Sequence, residues 1–141
     1  MRYLTTAEIE RLLQLMAKDY RVLVPVVLPD GTRSLGELGT YPLALGGGAL
    51  PMKPSEVFSP YLETLLSFAD DGKPRVAESP SKPLFVVGFT AEDMACLEFV
   101  DRFFSANYYD EQYFARRKSA VIVCVSGKCG KNGEMLKIAG K

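Results

Sequence analysis

The sequence predicts an α/β fold: one compact domain over residues 1–141, with helices packed on a mixed sheet that contains a βαβ unit. Three observations lead there. The runs 84–88 and 120–125 are continuously apolar or glycine, as strands buried on both faces are. Between them, Met94, Leu97, Val100, Phe103 and Phe104 follow the spacing of a helix, and strand, helix, strand in that order is a parallel crossover. Upstream, the Val-rich run 21–28 leads into Pro29-Asp30-Gly31-Thr32, turn chemistry that makes a hairpin and adds an antiparallel pair.

In chain order, Thr5 followed by Glu8 is a capping box, and Ile9, Leu12, Leu13, Met16 and Tyr20 form the core-facing stripe of a first helix. Pro25 lies inside the next strand. It has no N–H to donate, so that strand is expected at a sheet edge or bulged there. The returning strand spans 33–45 and is broken by Gly36 and Gly39. Gly46-Gly47-Gly48 reads as a flexible turn, because Ala49-Leu50-Pro51 follows instead of the helix start that a phosphate cradle needs. Ser59 and Pro60 have N-cap and first-position chemistry, which predicts a short helix with Tyr61, Leu62, Leu65, Leu66 and Phe68 on its apolar side. Residues 69–80 are polar, with a surface loop expected and a short strand at 75–77. Thr90 caps the crossover helix with Asp93 at the capping-box position. Residues 108–117 form a second short helical or turn segment before the strand at 120–125. Residues 126–133 read as a loop, and 134–139 as a closing strand or helical turn.

An apolar content of 48% with 24% charged residues is that of a soluble globular domain, and 141 residues suffice for one core. No apolar run approaches the roughly 20 residues that cross a bilayer, and no signal-like start is present, so a cytoplasmic location is expected. The absence of histidine excludes a Ser-His or Cys-His pair within the chain and any imidazole metal ligand. Three cysteines, an odd number, do not suit a secreted disulfide framework.

Charge is unevenly distributed. Residues 1–115 hold 10 basic and 16 acidic side chains, whereas 116–141 hold 7 basic and 1 acidic. The basic end reads as a solvated tail or as a docking surface for an acidic partner, with Arg116, Arg117, Lys128, Lys131 and Lys137 as its residues. One of the two arginines, just before a strand, is expected in a fixed salt bridge, with Asp110 and Glu111 as partners within reach. No aromatic residues interleave with these charges, so nucleic acid is not expected as a partner. Cys96 and Cys124 read as buried, whereas Cys129, between Lys128 and Gly130, is the most reactive thiol.

Three segments carry a family resemblance. Pro51-Met52-Lys53-Pro54 through Phe58-Ser59-Pro60, with Glu63 and Leu65, is the first. Gly88-Phe89-Thr90-Ala91-Glu92-Asp93-Met94-Ala95-Cys96-Leu97-Glu98, followed by Asp101-Arg102-Phe103-Phe104, is the second. Tyr113-Phe114-Ala115-Arg116-Arg117 before an apolar strand is the third. Together they resemble the N-terminal part of the iron–sulfur electron-transfer subunits found in sulfur-reducing nickel–iron hydrogenases, as the beta subunit, and in anaerobic sulfite reductase. Against that pattern, Glu92-Asp93 stands where the family has Cys-Asp, Cys124 and Cys129 are displaced from its Cys-rich segment, and its ferredoxin-like C-terminal part has no counterpart. A four-iron cluster takes four thiolates and this chain has three.

The resemblance therefore implies a non-catalytic accessory or docking domain of a redox complex that has lost its cluster site and carries no cofactor. Its partners would be the other subunits, with a homodimer also open. The alternatives are an electron carrier whose 4Fe-4S cluster a partner chain completes, with Cys124 and Cys129 as the thiolates, and a small-molecule-binding or enzymatic domain built on Glu92 and Asp93.

Overall fold

The computed structural model describes residues 5–45, 50–62, 64, 66–76, 82–106 and 108–124. The elements are α1 (Thr6–Met16), β1 (Arg21–Val27), β2 (Arg33–Glu37), a 3-10 turn at Pro54–Val57, β3 (Leu66–Phe68), β4 (Pro74–Val76), β5 (Leu84–Phe89), α2 (Ala91–Ala106), α3 (Glu111–Ser119) and β6 (Val121–Cys124). A mixed sheet in the order β2-β1-β5-β6 forms the centre, and β3 and β4 pair as a separate ribbon. β1 runs antiparallel to β2 and parallel to β5, which runs parallel to β6. The α/β class and the βαβ unit are as the sequence predicts.

The alternation of side chains along a strand sorts the core onto two faces. Val22, Val24 and Val26 of β1 join Phe85 and Val87 of β5 under Leu13 of α1. On the other face Leu84, Val86 and Phe89 meet Phe58, Leu97 of α2 and Tyr113 of α3. All six residues of β5 are buried, because it has helices on both sides.

The capping chemistry forms as read. Glu8 and Thr5 make a reciprocal capping box at α1. Thr90 N–H and Oγ1 donate to Asp93 Oδ2 at 2.7 and 2.9 Å, and Asp93 N–H donates to Thr90 Oγ1 at 3.2 Å. Asp110 caps α3, its Oδ1 accepting from Tyr113 N–H at 2.8 Å.

Several expectations are corrected. β1 is an interior strand despite Pro25. β5 pairs with it only through Arg21, Val22 and Leu23, and past Pro25 the same edge is taken by the chain after β2. There Val27 N–H donates to Pro42 O at 3.0 Å and Ala44 N–H donates to Pro25 O at 2.8 Å. The missing N–H thus falls at the change of partner. For the same reason the returning strand stops at Glu37: Gly39, at φ +89°, turns the chain so that Leu43 can bridge to Val26 from the other side.

The helix expected after Ser59 is replaced by the 3-10 turn upstream, which has Pro54 in its first turn, and by bends at 61 and 62. The turn drives Phe58 into the core at 0% exposure, and Tyr61, Leu62, Leu66 and Phe68 are left outside. The strand that reads as 75–77 forms as β4 at Pro74–Val76. Among the described residues β6 is an edge strand, with Ile122 turned to the core and Val121, Val123 and Cys124 exposed. Cys96 is exposed too, one position away from the buried Leu97 on α2. Cys129, the lysines at 128, 131 and 137, and the closing element at 134–139 lie outside the described residues.

Candidate functional site

Three places collect the polar chemistry of the described residues. The first is at the carboxyl ends of the parallel strands. Gly88, at φ +107°, sits where the β5–β6 register shifts, and this bulge brings Phe89 opposite Cys124. Thr90 and Asp93 follow at once, so the Asp93 carboxylate and the Cys124 thiol occupy the same corner. Partial burial, and then the negative charge of Asp93, push the Cys124 thiol above its ordinary pKa. The thiolate is the nucleophile and the metal ligand, so this environment suppresses the reactive form at neutral pH. Glu92 is exposed beside this corner. The two carboxylates singled out in the sequence therefore differ: Asp93 accepts both Thr90 donors as a cap, and Glu92 faces solvent. No group of three His, Cys, Asp or Glu side chains among the described residues is arranged to hold a metal ion.

The second place lies between α2 and α3. Tyr113, 0% exposed, donates its phenol to Asp101 Oδ1 at 2.6 Å. Arg117, one turn along α3, reaches Asp101 Oδ1 through Nε at 3.3 Å and Oδ2 through a terminal nitrogen at 3.2 Å. Burial, and then the hydrogen bond and charge of Asp101, push the Tyr113 phenol well above the usual tyrosine range. The Arg117 guanidinium lies 5.4 Å from the centre of the Phe58 ring, and Arg116 Nε donates to Phe58 O at 2.7 Å. Both arginines thus anchor α3 to the chain around Phe58. The salt bridge expected for one of them forms with Asp101, on the preceding helix, while Asp110 serves as the cap of α3. Phe104, Tyr113 and Phe114 pack ring to ring, and Tyr109 stacks on Phe114 at 4.6 Å with Lys118 Nζ 2.9 Å from its hydroxyl.

The third place has no signal in the sequence. A cleft of about 600 Å³ opens at the amino ends of β1 and β5, between the 3-10 turn and α3. Leu23, Leu35 and Leu84 from three adjacent strands line it, and Arg21 and Lys82 stand on its wall. These residues are separated by up to about sixty positions, so only the sheet pairing brings them together.

The outer side of α2 completes the picture. Ala95, Cys96, Phe99 and Phe103 follow one another at helical spacing and are all exposed, Phe99 at 70% and Phe103 at 67%. No helix among the described residues is long and apolar enough to cross a membrane. No family model, curated protein or solved structure matches the chain.

Proposed function

We propose that this chain is a non-catalytic accessory domain that docks onto other subunits of an electron-transfer assembly. The observation that carries the reading is the outer stripe of α2. A helix packed on a sheet needs one apolar side, and α2 supplies it with Leu97, aided by Met94, Val100 and Phe104. Phe99 and Phe103 lie outside that side, and a row of exposed aromatic carbon is the composition of a protein interface. The same helix carries the longest of the segments that resemble the iron–sulfur electron-transfer subunits. Asp93 caps the helix, and Asp101 binds Tyr113 and Arg117, so these acids have structural work in the fold.

The test is affinity capture from extract of the source cells with the wild-type chain and with a Phe99→Ser, Phe103→Ser double variant, both checked for the same circular dichroism. The reading expects the wild type to recover chains identified by mass spectrometry and visible absorbance as flavin or iron–sulfur proteins, and the variant to lose them. Equal recovery by both, or recovery of no redox protein, removes it.

A second reading, a carrier whose cluster a partner completes, is favoured by the meeting of Asp93 and Cys124 at the carboxyl ends of β5 and β6. Iron and sulfide in the co-purified complex, lost on Cys124→Ala, would select it.

A further inference from the structure

We propose that the cleft at the amino ends of β1 and β5 is a binding site for a small amphipathic anion, an apolar chain or ring ending in a carboxylate or a phosphate. It lies at the opposite end of the parallel strands from the Asp93–Cys124 corner and does not depend on the docking reading. Its volume of about 600 Å³ is that of a small-molecule pocket. The lining is mainly apolar: Leu23, Leu35 and Leu84 supply the sheet side, with Val57 from the 3-10 turn. The Ser119 hydroxyl, also in the lining, already donates to the carbonyls of Ala115 and Arg116. The body of a ligand must therefore be apolar, because a polar one would lose its water without gaining partners.

The cations of the lining are Arg21, Lys82 and Arg116. Arg116 Nε is engaged by the Phe58 carbonyl at 2.7 Å, and Arg21 and Lys82 stand together at the amino ends of β1 and β5. Glu37 holds Arg21 through Nε, which orients the guanidinium. Lys82 Nζ donates at 3.0 Å to the Ala17 carbonyl at the end of α1, and no ion pair to a carboxylate is found for it among the described residues. Both side chains also line a neighbouring cavity of about 350 Å³, so they stand between two openings. A guanidinium oriented by Glu37 beside an ammonium held on a carbonyl suits an anionic head, through charge-assisted hydrogen bonds. Glu56, on the 3-10 turn, also lines the cleft and disfavours an anion on that side. The head is thereby directed to Arg21 and Lys82 and the apolar body to the leucines.

The experiment is a titration of the full chain, labelled with 15N, followed by amide chemical shifts. The probes are octanoate, octyl phosphate and, as the cationic control, octylammonium. Saturable shifts at Leu23, Leu35 and Leu84 with either anion and not with octylammonium are expected, and the tighter anion identifies the head. Lys82→Met, which keeps the aliphatic stem, should weaken the anion about tenfold while the spectrum stays dispersed. Arg21→Gln is the second variant and should weaken it similarly. Absence of saturable shifts, equal binding of octylammonium, or unchanged affinity in both variants overturns the proposal.

Discussion

Gly88 lies directly against the ring of Pro25: a β-carbon built on Gly88 would stand 2.4 Å from Pro25 Cγ. The two residues solve one problem together. Pro25 has no N–H for β5 to accept, and β5 leaves β1 at that level. Gly88 has no side chain to collide with the proline ring, and its φ of +107° sets the bulge that carries the chain toward Thr90 and Asp93.

Gly88→Ala should therefore destabilise the fold by about 3 kcal/mol, combining left-handed backbone strain with overpacking. Pro25→Ala in the same chain should recover the steric part and leave the backbone part. A double-mutant cycle from urea unfolding checks this, with a coupling energy of about 1 kcal/mol or more expected.

Tyr113→Phe removes a buried hydrogen bond to a carboxylate and should cost about 2 kcal/mol. It should also change the response to alkali. The folded state holds the phenolic proton more tightly than the unfolded state, whose tyrosine ionises near about pH 10. Below that pH the contribution is complete. Above it the unfolded chain binds fewer protons than the folded one, so stability falls as pH rises. The urea midpoint of the wild type should consequently drop more than that of the variant between pH 8 and pH 11, with the gap between them narrowing.

Asp93 has two effects that can be separated. Asp93→Ala loses the cap and should cost about 1 kcal/mol. Asp93→Asn keeps an acceptor for Thr90 and leaves the partial burial that raises the Cys124 pKa, but removes the charge that adds to it. Alkylation of Cys124 by iodoacetamide, read site by site by mass spectrometry, should therefore be faster at neutral pH in the Asn variant than in the wild type.

The chain purified alone under anaerobic conditions is expected to carry no iron–sulfur cluster, because three cysteines cannot supply the four thiolates that such a cluster takes. Iron and sulfide analysis with a visible spectrum checks it. Several irons and sulfides per chain would select the electron-carrier reading.

What the sequence determined by itself is local. Thr5 with Glu8 and Thr90 with Asp93 satisfy helix ends through neighbours three positions apart, so those starts are legible without the rest of the fold. The strand, helix, strand order is legible for the same reason, since each element has its own periodicity. Tertiary structure decided the matters that depend on distant partners. Pro25 is tolerated inside the sheet because β5 and residues 42–44 share its edge. Ser59 and Pro60 have helix-start chemistry, yet burial of Phe58 under α2 and α3 sets the path there. Arg117 passes over the acids nearest in sequence to meet Asp101, and Arg21 and Lys82 come to share a cleft with leucines from three strands. Periodicity records which residues share a face of one element. Which faces find a partner, and which stay open as on α2 and in the cleft, follows only from packing the whole chain.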